Sequence, residues 1–282
     1  MSYPQTMSAS HRRARGLRLD TLAAVNDDIA VEEPLEMRLG DGRRTLRSVV
    51  TMRTPGADLE LAAGWVLGEG IVRCVDDLVS VRACTDRSLL PQARGNVVTV
   101  DLAEQALPRL AGLSRATDIT GACGVCGADS LAAVMGRQLE VLAPAVPLLD
   151  PGVVMALTDH LQEAQRVFAR TGGLHGAGVT DATGTLMAVR EDIGRHNAVD
   201  KVLGWALMAP AQPTALVVSS RASFEIVQKA AASRVPVVVT VSAPSSLAID
   251  LAESAGITLV AFARSGRATA YTHPARVTGP AD

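Results

Sequence analysis

At 282 residues, nearly half of them apolar, the chain is long enough for about two domains and can bury a substantial core. Its charges almost cancel, 27 Lys and Arg against 29 Asp and Glu, which argues against non-specific binding to DNA or an anionic membrane and makes any anion recognition local. Three Phe, two Tyr and two Trp leave little for base-stacking platforms, and no continuous apolar segment is long enough to cross a bilayer, so neither nucleic acid nor membrane is expected as a partner.

Residues 1–28 are polar and basic, with Arg12, Arg13, Arg15 and Arg18, and no apolar stretch of the kind an export signal needs follows them. They read as a flexible basic arm. A small α+β domain is expected over 29–115. Leu35–Leu39 and Ser48–Met52 cluster as strands around the turn signal Gly40-Asp41-Gly42 and predict a hairpin. Asp58–Leu67 reads as a helix with Asp58 as its cap and Leu59, Ala62, Ala63 and Val66 on one face. Asn96–Leu102 alternates again, as a further strand. Cys74 and Cys84 are expected as buried, inert thiols.

Thr120–Gly127, T-G-A-C-G-V-C-G, sets Cys123 and Cys126 three positions apart among glycines that permit unusual backbone angles and close approach. Ala128–Met135 can continue as a short helix. That places both thiols near a helix amino end, where unpaired N–H groups and the dipole favour the thiolate over the ordinary pKa of about 8.5. Four cysteines, two of them in C-x-x-C, fit a reducing cytosol better than a secreted disulfide framework.

In the carboxyl half, the third segment of the division at 116–282, Leu216–Ser219, Val235–Val241 and Ile257–Phe262 are apolar, β-branched runs. Helical stretches at Ser223–Ser233 and Ser245–Ala255 separate them, a β-α-β-α-β order with parallel strands. Pro244 fits the first turn of the second helix and Gly256 its end. Ligands collect beyond the carboxyl ends of such strands. Here those ends are Ser219-Ser220-Arg221, Ser242-Ala243-Pro244 and Ala263-Arg264-Ser265, small and hydroxyl-rich with two arginines, which suits a phosphate-bearing nucleotide. No Walker loop or G-x-G-x-x-G accompanies them.

The Cys123/Cys126 pair admits four readings: a sulfur carrier or catalytic thiol, half a zinc site, a thioredoxin-like redox pair, or structural thiols. Zinc needs two further ligands, and Cys74, Cys84, His175 and His196 are single candidates without a second paired motif. A redox pair would follow a strand, and the preceding S-R-A-T-D-I-T-G-A is weakly strand-like. Sulfur handling is the best local fit.

A second constellation, Glu191–Lys201, crowds Arg195, His196, Asn197, Asp200 and Lys201 at the start of a helix whose apolar face is Ala198, Val199, Val202, Leu203, Ala206 and Leu207. Its plain alternative is a solvated helix with i,i+4 pairs, His196 with Asp200 and Asn197 with Lys201. His175 stands among glycines in Thr171–Gly178, with room for a ligand's close approach.

From Glu32 to His273 the chain resembles the FdhD family, the formate dehydrogenase accessory sulfurtransferases. The resemblance runs through E-E-P-L-E (Glu32–Glu36), T-M-R-T-P-G (Thr51–Gly56), D-L-E-L-A-A-G (Asp58–Gly64), G-E-G (Gly68–Gly70) and C-G-V-C-G. It continues in T-G-G-L-H, E-D-I-G-R-H-N-A-V-D-K, R-A-S-F-E-I-V-Q-K and S-A-P-S-S-L-A. The resemblance implies a cytoplasmic sulfur carrier, commonly a homodimer. It accepts sulfane sulfur from a cysteine desulfurase and passes it to the molybdenum cofactor before that cofactor enters formate dehydrogenase. Cys123 matches the persulfide-bearing position and Cys126 the second cysteine. Bis-molybdopterin guanine dinucleotide is the implied ligand, as cargo rather than a resident cofactor, and no permanent metal is implied. Its matching segment is Phe262, Ala263, Arg264, Ser265, Gly266 and Arg267, with Arg221, His175, Arg195 and His196 as candidates for the rest of the site wall. The implied fold of the carboxyl half is cytidine-deaminase-like.

Three positions depart from the family pattern: Ser220 replaces the glycine of S-G-R, Ala261 a glycine before Phe262, and Thr269 an asparagine. They bear on the affinity for the cofactor or on the exact form of cofactor taken, not on the sulfur chemistry. Two other classes compete with a carrier. A zinc-dependent deaminase would need a glutamate base, but His175 is followed two positions later by Ala177 and no H-x-E is present. A non-catalytic chaperone would escort the cofactor or the apoenzyme with cysteines that are only structural.

Overall fold

A computed structural model describes residues 10–86, 88–90, 93–112, 119–120, 141–143 and 148–278. Cys123 and Cys126, the proposed helix at 128–135 and the glycines around the thiols lie outside the described residues.

Residues expected within a loose arm pair instead. β1 (His11–Leu17) and β2 (Ala24–Ala30) form an antiparallel ribbon with Leu17 opposite Ala24, and most of its side chains are exposed or half-buried. Alternating charge allows this without a core, for Arg13 lies opposite Asp28.

The expected hairpin is present as β3 (Glu33–Gly40) and β4 (Thr45–Arg53), antiparallel. At the turn, the Asp41 carboxylate accepts from the Arg43 and Arg44 amides, 2.9 Å each, and Gly42 takes φ 84°, the left-handed region that glycine enters at little cost. β5 (Leu78–Ala83) and β6 (Val97–Leu102) join it, and β7 (Ile119–Thr120) adds a short parallel edge strand to β4, so the order is β5-β6-β3-β4-β7. The first sheet therefore continues past residue 115. A short helix, α2 (Leu107–Ala111), precedes that edge strand.

α1 (Asp58–Gly68) covers one face of this sheet, packing Leu61, Ala62, Trp65 and Val66 onto Leu35, Met37, Leu39 and Val100. Asp58 does not cap it. The N-cap is Ala57, with φ 55°, and the Asp58 carboxylate instead takes the buried Arg53 guanidinium in a fork, at 3.0 and 2.8 Å. Nor is one face of α1 left to solvent: residues 61 to 68 are all buried, because a second helix lies against the side away from the sheet.

The carboxyl half forms a six-stranded sheet, order β13-β12-β11-β10-β8-β9. Its parallel centre is β10 (Ala215–Val218), β11 (Val237–Thr240) and β12 (Thr258–Arg264), as the β-branched runs predict. The antiparallel neighbours β8 (His175–Thr180), β9 (Leu186–Asp192) and β13 (Arg267–Ala270) were not expected. The small residues of 175–178 carry no strand pattern, yet they form a strand where helices press close. Side chains alternate across the sheet. Ala215, Val217, Val237 and Val239 meet α3 (Pro151–Ala164) through Val154, Leu157 and Leu161. On the opposite face Leu216, Val218, Val238 and Leu259 meet α5 (Arg195–Met208), α6 (Phe224–Ala232) and α7 (Ser246–Ser254). A short helix, α4 (Arg166–Thr171), follows α3.

The signal for α3 lies in Asp150-Pro151: the Asp150 carboxylate accepts from the Gly152 amide at 2.7 Å, and Pro151 sits in the first turn. Pro244 falls outside α7, one position before its N-cap Ser245, which accepts from Ala248 N at 3.2 Å. Cys74 is exposed and Cys84 half-buried, in contrast to the expectation, because both flank surface turns of the first sheet.

Candidate functional site

α5 is the element on which the two sheets meet. α1 and α5 cross so closely that a Cβ added at Gly64 would fall on the Asp200 carbonyl, and one at Gly204 on the Glu60 carbonyl. The polar residues at the start of α5 close this junction. Lys201 is 2% exposed; its Nζ donates to the Thr54 carbonyl at 2.8 Å and lies 2.7 Å from Asp192 Oδ2. Asp192, itself fully buried, also accepts from Thr54 N at 3.1 Å, Gly194 N at 2.8 Å and Asn197 Nδ2 at 3.2 Å. Asn197 Nδ2 further donates to the Met52 carbonyl at 2.7 Å, and Thr51 Oγ1 lies 3.4 Å from Asn197 Oδ1. On the other side Arg190 forks onto Glu60 of α1, at 2.5 and 2.7 Å.

The i,i+4 pairs of the solvated-helix reading are therefore replaced. Asn197, Asp200 and Lys201 are buried, and each reaches across to another element rather than along its own helix. A buried charge persists where a partner and hydrogen bonds compensate its desolvation.

Asp200 pairs with Lys229 of α6 at 2.7 Å, beneath Gly68. Burial pushes its carboxyl up to about 6, against the pull of Lys229. That folded value exceeds the unfolded one, about 4, so this group favours the fold below about pH 4 and its contribution is lost as pH rises through 6. The melting temperature of the wild type relative to Asp200→Asn is accordingly expected to fall between about pH 4 and 7. Thermal melts of the two proteins in matched buffers across that range check this.

Beyond this junction the carboxyl ends of the sheet gather the remaining candidates. The loop after β10 is held to β8, since Gly176 N donates to Ser219 Oγ at 2.9 Å and Ser219 N to the Gly176 carbonyl at 3.0 Å. Ser220 is buried, its hydroxyl on the Arg221 carbonyl at 3.1 Å, while Arg221 is exposed. His175 opens β8 opposite Asp192, half-buried. Burial, then the Arg195 and His196 charges, hold its imidazole below the usual range, so it is neutral near pH 7. His196 points to α6, with Nε2 at 2.7 Å from Glu225 Oε2 and 3.4 Å from Ser223 Oγ. His175, Arg195 and His196 thus share one edge with the loop carrying Arg221.

The segment Phe262–Arg267 is a bulged hairpin rather than a free loop. β12 continues to Arg264 and turns at Ser265-Gly266, φ 52° and 71°, into β13. Phe262, at φ 53° and 38% exposed, marks the bulge, and Phe262 N lies 3.3 Å from the Ser242 carbonyl. Arg264, Ser265, Gly266 and Arg267 are exposed. Ala263 is the exception: it is fully buried in the core under α3, where its carbonyl accepts from Thr158 at 2.5 Å, so its side chain belongs to packing and not to a ligand surface. Ala261 and Thr269 are cross-strand partners in this hairpin.

Ser223, Glu225, Lys229 and Asp192 were not foreseen as members of these networks. The first three lie in R-A-S-F-E-I-V-Q-K, where Ser223 and Glu225 look like an ordinary capped helix start. Among the described residues no group of three or more His, Cys, Asp or Glu side chains could hold a metal ion, and no helix is long and apolar enough to cross a membrane.

Comparisons with known proteins agree on one family. The model of the FdhD/NarQ family matches residues 30–278. A sulfur carrier protein FdhD of Mycobacterium bovis is 46% identical, over 96% of this chain and 99% of its own. Proteins of the same name from Nocardia farcinica, 44% identical over 92% of each chain, and Anaeromyxobacter dehalogenans, 46% identical over 91% of each, are also similar. Among solved structures, a crystal structure from Desulfotalea psychrophila, described as a formate dehydrogenase accessory protein, matches with TM-score 0.70 and 23% identity over 95% of this chain and 98% of that one.

Proposed function

The chain belongs to the FdhD/NarQ family, and on that premise we propose that it is a sulfur carrier that loads sulfane sulfur on Cys123 and delivers it to a molybdenum cofactor destined for formate dehydrogenase. The observation that carries the reading is near end-to-end identity of 41–46% with proteins named sulfur carriers, in a chain that holds C-G-V-C-G. The Cys123 thiolate attacks the terminal sulfur of a cysteine desulfurase persulfide; the new S–S bond forms on Cys123 as the donor's S–S bond breaks and its thiolate departs. Cys126 supports or resolves that anion. Thr120, three positions ahead of Cys123, pairs with Thr51, whose hydroxyl lies beside Asn197 at the start of α5. Three residues of chain reach ~11 Å at most.

The cargo is bis-molybdopterin guanine dinucleotide, and the exposed Arg264, Arg267 and Arg221 would take its phosphates through forked charge-assisted bonds, with Phe262 against a ring. The carboxyl half would be cytidine-deaminase-like, a reading supported by a mixed sheet with helices on both faces. The carrier would act in the cytoplasm as a homodimer. Incubation with a cysteine desulfurase and cysteine tests the function directly: the intact mass should rise by about 32 Da, one added sulfur on the thiol ladder, and an unchanged mass refutes it. Arg264→Gln combined with Arg267→Gln should weaken guanine-nucleotide binding at least about tenfold in calorimetry while leaving sulfur uptake unchanged. Undiminished nucleotide affinity would remove the hairpin from the binding site.

A further inference from the structure

Where α3 gives way to α4, the chain buries an amide without a partner. Gln165 is 3% exposed, and its Nε2 makes no hydrogen bond among the described residues. A buried donor left unpaired loses its water and gains no other acceptor, so folds keep few of them. Thr158, buried on the same stripe of α3, is satisfied by the Ala263 carbonyl, and the stripe is otherwise the apolar Val154, Leu157 and Leu161. Packing alone therefore does not call for an amide at 165.

The amide lies against Gly176 of β8, where a Cβ would fall 2.5 Å from Gln165 Cδ and 2.8 Å from Nε2. On the same glycine, Ser219 Oγ accepts from Gly176 N at 2.9 Å, and the hydrogen of that hydroxyl has no acceptor among the described residues. Two uncharged donors in want of an acceptor thus flank one residue that has no side chain to block an approach.

Their place in the sheet is an edge suited to a ligand. β8 begins where its antiparallel neighbour β10 ends. The chain reaches β8 from α3, packed on one face, and leaves β10 for α6, packed on the other. Strand ends that connect to opposite faces leave a crevice between them, and open α/β sheets take ligands there. Charge selects the kind of acceptor. Glu191 is the cross-strand partner of Gly176, and its carboxylate takes the Val167 and Phe168 amides at 2.9 and 2.7 Å. That carboxylate repels a phosphate and tolerates an uncharged oxygen.

We propose that Gln165 is a specificity-determining residue of the cargo site, its amide N–H donating, together with the Ser219 hydroxyl, to the lactam carbonyl oxygen of a heterocycle held between the ends of β8 and β10. The inference rests on the sulfur-carrier reading and adds to it the part of the cargo that this edge reads. Guanine and a pterin both carry such a carbonyl, while the phosphates fall to the arginines of the β12–β13 hairpin. A heterocycle without the carbonyl leaves both donors unpaired, which is how a buried polar site rejects an analogue.

Gln165→Met tests this, since it keeps the length of the side chain and removes the amide. In calorimetry with GDP and, separately, with neopterin, the variant should bind one of the two about tenfold more weakly than the wild type. With neither probe added it should melt about 2–4 °C higher, because an unpaired buried donor is gone. A residue that only packs would not lower affinity while raising stability. Loss with GDP assigns the guanine carbonyl, and the preference for GDP over ADP should then shrink by the same factor; loss with neopterin assigns the pterin carbonyl. Equal affinity of the two proteins for both probes overturns the inference, as does a wild type that binds neither. Sulfur uptake by the wild type, followed by intact mass, separates the two failures: uptake with unchanged probe affinities sinks the inference alone, and no uptake sinks the carrier reading with it. Should Gln165→Met fail to fold, the side-chain amide resonances of Gln165 in the wild type decide. They should shift when the probe that binds is added, and unmoved resonances overturn the inference.

Discussion

Cys123→Ala is expected to reduce sulfur loading to background. Removing the attacking atom leaves no sulfur on which a persulfide can form, so the effect is a loss and not a slowing. The mass gain of about 32 Da expected with desulfurase and cysteine should be absent from Cys123→Ala. The informative control is Cys74→Ser, because Cys74 is exposed and is a competing acceptor for any loosely held sulfur. Loading that survives Cys123→Ala but disappears in Cys74→Ser would overturn the assignment. Cys126→Ala separates the two thiols of the motif: retained loading makes Cys126 an auxiliary group, whereas lost loading makes it part of the acceptor.

The second large effect is expected at Gly64→Ala, far in sequence from either thiol. Its added Cβ would meet the Asp200 backbone, which cannot rotate away as a side chain would, so α1 and α5 must part. Parting them disturbs the Lys229–Asp200 and Lys201–Asp192 pairs at the same time. Overpacking of a tight interior costs about 1–3 kcal/mol or more, and the backbone contact puts this site at the upper end. A drop in melting temperature of roughly 6–12 °C follows for a protein of this size. Gly204→Ala should behave alike, since it meets Glu60 from the other helix. Gly112→Ala is the control, for its Cβ would only touch neighbouring carbonyls at 3.6 and 3.7 Å. Equal melting of Gly64→Ala and wild type would show that the helices can separate freely.

These glycines explain what the sequence could and could not announce. The runs Leu216–Ser219, Val235–Val241 and Ile257–Phe262 are readable because a central strand buries both faces, and β-branched residues mark that state. β8 escapes such a reading: His-Gly-Ala-Gly has no strand pattern, and its small residues are dictated by neighbours such as Gln165, whose side chain a Cβ at Gly176 would strike. Likewise α1 reads as one-sided until α5 is seen against it. For the site, His175, Arg195 and His196, the candidates for its wall, are legible by composition, and the Arg195 and His196 side chains are near enough to act on the His175 imidazole. The same polar run concealed two jobs, however. Asn197 and Lys201 bind the halves of the molecule together and Asp200 ties α5 to α6, while His196 turns to Glu225 of α6. Spacing along one helix cannot separate these, because both depend on partners more than 130 positions away, such as Thr54 and Met52, or on another helix. The placement of Cys123 and Cys126 was carried by resemblance and chemistry alone.

The register of the last hairpin bears on how variation there is to be interpreted. Ala261 and Thr269, two of the three departures from the family pattern, sit directly opposite one another, at a separation where side chains on paired strands sense each other. They are therefore one coupled unit rather than two independent positions: the residue at either site sets the background in which the other is judged, and only changing both together, to glycine and asparagine, asks what that pair does.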